Sequence, residues 1–408
     1  MFKLINFNRA LTDEARGLEK YGNALASLSL SSPRHLTLLP EHQDLKALAA
    51  LYEKVLFDGQ IIPICYIPDD HYVTDETIFK SSALISQIDA HLDRLVPAGE
   101  QVALFMAKPN PYLYAWLLQL KRKVHFKRET QKYLKQIIHK GIFHRHISTK
   151  DTPSVIEAFP ALRIPLGYIA GSKKDIKLAY TTLKTQGVEK IMAKPIKESL
   201  GRGIKTLHSV ADIHALPKGV YAIEEKLALD TNSFGMEANC AIGYHEQKAF
   251  AHWTQLIDGT TYVGAVYPFE GSEAVKNDIA NQSAIFLEFA KTHGMKNDGG
   301  IDFLIAKDKA YLIDNNLGRL TATHSSIFFQ QNHAINRPFS TFAIKNHQYS
   351  VDEVWEILQK ADVAFDKTTK TGVFPYAYMK GETRKFIAFH DSSTTAYEMG
   401  LKVQSLFD

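Results

Sequence analysis

Cysteine is scarce: the 408 residues contain two, Cys65 and Cys240, far apart in the chain. That excludes a disulfide framework and a CxxC metal knuckle, and it suits a reducing compartment. No apolar run is long enough to cross a bilayer. The opening residues, MFKLINFNRALTDEARG, lack the apolar core and small-residue cleavage site of a secretory leader. The expectation is a cytoplasmic protein with no membrane partner. GxxxxGK[ST], GxGxxG and GxSxG are all missing, which argues against a P-loop, a dinucleotide fingerprint and a serine nucleophile elbow. There is no internal repeat and no low-complexity tract.

What is present is ordinary globular composition, 45% hydrophobic and 23% charged, in a length that suits two or three domains. The charge is uneven. Trp116 to Lys150 holds ten basic residues against one acid, Glu129, a surplus of nine in a chain of net charge +4, which leaves the rest at −5. Segment 116–150 is either a solvated basic face or a surface for an anion such as a nucleotide phosphate, an acidic substrate or a carrier. Aromatics are not interleaved there as a stacking platform requires, which weighs against nucleic acid. The His144–Arg145–His146 run has no third ligand nearby and reads as surface.

Local pattern divides the chain. Residues 1–145 read as α/β, with Gln101–Met106 a buried strand and a helix through Tyr133, Leu134, Ile137 and Ile138 closed by Gly141. A new texture begins near Lys150. Thr152 is a candidate N-cap with Pro153 at the first helical position. A helix through Ile176, Tyr180 and Leu183 stops at Gly187. Short strands follow up to Phe269, then a long helix from Ala274 to His293 with Gly294 after it. Two strands, GIDFLIA and AYLIDNN, come next. The tail offers a helix over SVDEVWEILQKA, two strands and a last helix from Ser393 to Leu406. Short strands interspersed with helices indicate α+β subdomains.

The two strands carry the first chemistry. KDK between them is turn chemistry, and a three-residue turn from Lys307 to Lys309 sets Asp302 opposite Asp314. Asn316 then shares the face of Asp314. Opposed Cβ atoms lie roughly 5 Å apart, and opposed like charges destabilise a sheet, so the pair needs a cation. Asp302, Asp314 and Asn316 supply hard oxygens suited to Mg²⁺. A register slip of one residue, or a lysine that neutralises the pair, are the alternatives.

Two more pieces precede the hairpin. In IMAKPIKESLGRGIKTL a strand ends on Lys194 and runs into a loop with Ser199, Gly201 and Gly203. Glycines let backbone N–H groups approach phosphate oxygens, and the lysine adds charge. In GVYAIEEKLALD an apolar strand runs into Glu224, Glu225 and Lys226.

The order strand–Lys–Gly loop, strand–Glu-Glu, then a late Asp…Asp-x-Asn hairpin resembles the ATP-grasp superfamily, over about Ile147 to Ile327. Within it, Asp314, Asn315, Asn316, Leu317, Arg319, Thr323 and His324 resemble the E-I-N-L-R…T-T-H signature of pheganomycin-type peptide ligases, which carry a pre-ATP-grasp domain. Gly259–Pro268 and Thr371–Tyr376 also look like that group. The resemblance implies an ATP-grasp fold, two α+β subdomains clamping ATP, preceded by an α/β pre-ATP-grasp domain. The expected boundaries are 1–145, 146–225 and 226–408. It implies that Lys150 and Lys194 grip the ATP phosphates and that the Ser199–Gly203 loop closes over them. Glu224, Glu225 and Leu227 would hold adenine, Asp230 or Glu237 the ribose, and Asp302, Asp314 and Asn316 two Mg²⁺. Arg319 would stabilise the acyl phosphate or a substrate carboxylate, and His324 would serve as a base or cap a loop. The chain departs from the pattern in having Asp at 314 where Glu is usual, Gly at 300, and Arg319 one place late.

The resulting expectation is an ATP-dependent carboxylate–amine ligase making a peptide or similar amide bond through an acyl phosphate, with small-molecule carboxylate and amine substrates. A homodimer is compatible with the resemblance. The competing readings are a non-catalytic ATP-binding regulatory or scaffold protein, motivated by Asp at 314 and the shifted Arg319, and a nucleic-acid or carrier binder acting through segment 116–150.

Overall fold

A computed structural model describes residues 2–6, 35–41, 43–67, 82–97, 102–106, 124–125, 143–148, 159–196, 203–245, 248–259, 261–292, 299–316, 322–345, 348–379 and 383–407. The chain separates into two compact units. One comprises residues 1–135, 264–267 and 318–408, the other residues 136–263 and 268–317. Within the expected segment 226–408, residues 264–267 and 318–408 group with the N-terminal residues. None of the described helices is long and apolar enough to cross a membrane.

The first unit begins with a parallel sheet in the order Ile64–Ile67, His35–Pro40, Phe2–Asn6, Val102–Met106, Val124–His125. Parallel neighbours need crossovers; the helix Gln43–Leu56 connects His35–Pro40 to Ile64–Ile67, and the helix Ser82–Leu95 follows Ile64–Ile67 in the chain before Val102–Met106. Leu45, Leu48, Ala49, Tyr52 and Leu56 recur at helical spacing and bury one face of the first helix. The α/β expectation for this region therefore holds. The helix expected around Tyr133–Ile138 lies outside the described residues.

The same unit contains an antiparallel set. Phe339–Lys345 pairs with Thr383–Phe389, which pairs with Gly372–Met379. Helix Val351–Lys360 starts in a capping box between Ser350 and Glu353. Tyr52 ties the parallel part to the antiparallel part: its hydroxyl donates to the Tyr376 carbonyl at 2.9 Å. Its ring packs edge-on against Phe329 and Phe374, 5.8 and 5.0 Å away. Helix Ala322–Asn332 was not read from sequence, because its buried face mixes Ser326 and Gln330 with Ile327 and Phe329 and hides the apolar period.

The second unit holds two antiparallel layers. The first has the order Gly167–Ala170, Tyr221–Glu225, Ile191–Pro195, Lys205–Leu207. Alternation splits its faces. Tyr168, Ala170, Ile191, Ala193, Tyr221 and Ile223 pack with Ile176, Ala179 and Leu183 of the helix Lys173–Thr185. Gly167, Lys194, Ala222 and Glu224 take the opposite face. In the second layer Lys309–Asn315 pairs with Gly299–Ala306, which pairs with Asn239–His245, which pairs with Lys248–Asp258. Ile301, Phe303, Ile305, Ala310 and Leu312 pack with Ile279, Phe286 and Phe289 of the helix Glu273–Thr292.

The Tyr52 hydrogen bond gives a stability prediction. Tyr52→Phe should lower the unfolding free energy by about 1 kcal/mol in urea titrations, since a buried carbonyl loses its donor. An unchanged midpoint would show that the bond contributes nothing.

Candidate active site

The hairpin brings Asp302 opposite Asp314, as the spacing predicts, but by a different route. The turn has two residues, not three: Ala306 lies opposite Lys309, and Lys307 and Asp308 both have positive φ, 52° and 56°, as a type I′ turn requires. A two-residue turn alone would pair Asp302 with residue 313. The register shifts between Asp302 and Phe303, which faces Leu312, so Ile313 is an extra residue in its strand. Such a bulge redirects side chains. It lets Leu312 face the helix core while Asp314 joins Asp302 on the other side.

Amides hold this pair in place. Asp302 Oδ1 accepts from Gln255 Nε2 at 3.1 Å, and Asp302 Oδ2 from Asn316 Nδ2 at 2.9 Å. Asp314 Oδ1 accepts from the Asn315 amide at 2.8 Å. Asn316 therefore sits beside the pair, as expected. Among the described residues no group of three or more His, Cys, Asp or Glu side chains clusters as a metal site. Two carboxylates with a neighbouring amide oxygen still suit Mg²⁺, which takes one or two carboxylates and completes its shell with phosphate oxygens and water.

Lys194 meets this arrangement from the other layer. Its ammonium donates to Glu224 Oε1 at 3.1 Å and to the carbonyl of the bulged Ile313 at 3.2 Å. Lys194 and Glu224 are diagonal neighbours, since Lys194 pairs with Ala222 and Met192 with Glu224. The other carboxylate oxygen, Oε2, is 3.0 Å from His144 Nε2. All three residues are buried, with exposures of 9% for Lys194, 4% for Glu224 and 8% for His144. Burial works against the Lys194 charge, but Glu224, Asp314 and Asp302 outweigh it and raise the Lys194 pKa. Burial also works against the Glu224 charge; the Lys194 ammonium and the bond to His144 outweigh it and bring Glu224 down to about 2. The three polar groups line a small cavity with Phe143, Pro165, Ala222, Leu312 and Ile313.

The other candidate residues take varied places. Glu224 turns inward to Lys194 and His144. Glu225 Oε1 accepts from the Leu166 amide at 2.9 Å. Leu227 follows the strand end and is half-buried. Asp230 has both carboxylate oxygens on the hairpin turn, accepting from the Lys307 amide at 2.9 Å and the Asp308 amide at 2.8 Å. Its carboxylate thus caps a turn. Glu237 is exposed and bridges to Thr231 through its backbone. Gly203 has φ +71°, and a Cβ there would lie 3.1 Å from the Pro195 ring. His324 falls within the helix Ala322–Asn332. Lys150, Ser199, Gly201 and Arg319 lie outside the described residues. His144 corrects the sequence reading. It is buried and bonded, not a surface residue, and Gly167, 23 residues later, makes room for it.

Glu224 has a folded pKa below its ordinary value of 4.5. It therefore adds stability above pH 4.5, which is lost as the pH falls toward about 2. Lys194 has a raised pKa, so its contribution is complete below its ordinary 10.5 and is lost as the pH rises through the folded value. Glu224→Gln should cost about 3–5 kcal/mol at neutral pH by stranding Lys194, and should flatten the acid limb of the stability–pH profile. An acid limb identical to wild type would contradict this. Asp230→Ala should lower the unfolding free energy by about 1–3 kcal/mol in urea titrations, because two turn amides lose their acceptor. An unchanged unfolding midpoint would show that the carboxylate does not fasten the turn.

No family model matches the chain, and no curated protein sequence does. Solved structures do. The ADP complex of purK, N5-carboxyaminoimidazole ribonucleotide synthetase, matches 98% of this chain and 95% of its own, with a TM-score of 0.53 and 11% identity. The same synthetase from Thermus thermophilus matches 100% of this chain and 98% of its own, with a TM-score of 0.51 and 12% identity. Biotin carboxylase from Campylobacter jejuni, as a β-γ-ATP complex, matches 97% of this chain and 89% of its own, with a TM-score of 0.52 and 12% identity. These are ATP-grasp enzymes, and the chain has the fold they share.

Proposed function

We propose that the chain is an ATP-dependent ligase that joins a carboxylate to an amine through an acyl phosphate. One observation carries the reading: a buried lysine ammonium, fixed by Glu224 and the Ile313 carbonyl, faces the electrostatic influence of two opposed aspartates. Cation and carboxylates at one place are what a nucleotide phosphate with its metal requires. The ATP-grasp fold supports this, as do the ADP and β-γ-ATP in the matched complexes.

The chemistry divides between the substrates and these residues. A substrate carboxylate oxygen attacks the γ-phosphorus and the bond to the β–γ bridging oxygen breaks, giving ADP and an acyl phosphate. The amine nitrogen then attacks the acyl carbon, phosphate leaves, and the amine proton passes to a base. An ammonium has three N–H donors. Two of Lys194's are engaged by Glu224 and Ile313, and the third serves a phosphate oxygen. Asp302 and Asp314, with Asn316, would hold Mg²⁺. When bound, the ion neutralises phosphate charge and polarises the γ-phosphoryl group. Gln255 and Asn316 keep the Asp302 carboxylate aimed. Lys150 and Arg319 are the further cations we assign to the phosphates and the acyl phosphate. The Ser199–Gly203 loop is the lid that excludes water, because acyl phosphates hydrolyse. Glu237 is the acid we assign to the ribose, since Asp230 is taken up by the turn. Glu225 and Leu227 flank the adenine. The peptide-forming variant of the chemistry, with amino acid or peptide substrates, rests on the resemblance of the 314–324 stretch.

The test is ADP release from ATP and Mg²⁺ with a mixed pool of amino acids and dipeptides, with products read by mass spectrometry. Wild type should form ADP, phosphate and a new amide. Asp302→Asn and Asp314→Asn should each lower turnover at least about 100-fold, as loss of a phosphoryl-transfer metal does. Turnover untouched by both substitutions would overturn the reading.

A further inference from the structure

His144 has no role in the chemistry above, yet it is buried against the group that fixes Lys194. A carboxylate paired only with a lysine has two equivalent oxygens, and the lysine stem is flexible, so the pair has several arrangements. Here Glu224 Oε2 is held by His144 Nε2 at 3.0 Å, which leaves Oε1 to the ammonium at 3.1 Å. The histidine is itself seated firmly. The Ile147 amide donates to the Ile169 carbonyl and the Ile169 amide to the Arg145 carbonyl, both at 2.9 Å, so the segment after His144 lies along the strand Gly167–Ala170. Gly167 is the seat. A Cβ there would fall 3.0 Å from His144 Cε1, 2.8 Å from Glu224 Cβ and 2.9 Å from the Ile223 carbonyl. Any side chain at 167 would crowd the Glu224 stem, the Ile223 carbonyl and the imidazole at once, and the group would have to shift. Phe143, Pro165, Ala222 and Leu312 surround the group with apolar walls, where hydrogen bonds to charge are strong.

We infer that His144 is a positioning residue for the nucleotide phosphates: by holding the second oxygen of Glu224 it fixes the Lys194 ammonium in the orientation that meets the phosphate. The inference rests on the ATP-binding part of the proposed function. Its consequence is selective. A loss at His144 weakens ligands that carry phosphate and spares the nucleoside part, whereas general loosening of the subdomain would weaken both.

Calorimetric binding of ATP, beside ligand-observed NMR titration of adenosine, reads this directly. His144→Leu, which keeps bulk and removes the donor, should weaken ATP about tenfold, the effect of one hydrogen bond to a charged group, and should leave adenosine within about twofold. His144→Gln, which keeps a donor, should hold ATP within about threefold of wild type. Should the leucine variant not fold, His144→Asn, whose amide stops short of Glu224, takes its place with the same expected result. Unchanged ATP affinity, or equal loss for ATP and adenosine, overturns the inference alone. Wild-type protein that binds no ATP overturns the proposed function with it.

Discussion

The Glu224 carboxylate, with one oxygen on Lys194 and the other at His144, is the constraint on which the site depends. It settles the direction of a lysine that would otherwise have a flexible stem in a low-dielectric interior. Such an arrangement is poor material for stability. Desolvating charges is expensive, and buried ion pairs can often be replaced by apolar groups with little loss. Its presence in an otherwise apolar cavity points to use of the charge. The neighbouring aspartates reinforce this. Asp302 and Asp314 repel one another as an opposed pair, and the ammonium on the adjoining layer offsets part of that repulsion.

The bulge at Ile313 links fold to site. Without it, strict alternation would put Leu312 and Asp314 on the same face, so one of them would be misplaced. One inserted residue sends Leu312 to the core of the helix Glu273–Thr292 and Asp314 toward Lys194. It also turns the Ile313 carbonyl to the ammonium. A single irregularity thus meets the demands of hydrophobic burial, metal-type oxygens and a lysine acceptor. Asp230 belongs to the same device from the far end, because its carboxylate fastens the turn that sets the hairpin register.

Much of this was legible in the sequence where the signal is local. A lysine closing an apolar strand, a Gly-containing loop and an Asp…Asp-x-Asn hairpin are short-range patterns, and their order carries the resemblance to the ATP-grasp superfamily. The Asp302–Asp314 pairing was also readable, although the three-residue turn assumed for it is a two-residue turn plus a bulge, and sequence spacing cannot distinguish the two. His144 was not legible. It meets Glu224 across 80 residues of chain, and Gly167 beside them looks like any other glycine. Asp230 and Glu237 were equivalent as acids after a strand, and only the turn amides separate them. The helix Ala322–Asn332 escaped because polar Ser326 and Gln330 share its buried face.

The central claim is that Lys194 and the opposed aspartates form one nucleotide–metal site. A crystal structure with ADP and Mg²⁺ tests it most directly. The account predicts a phosphate oxygen about 3 Å from Lys194 Nζ and a metal about 2.1 Å from oxygens of Asp302 and Asp314. Nucleotide density elsewhere, with Lys194 still bonded only to Glu224 and the Ile313 carbonyl, would contradict it.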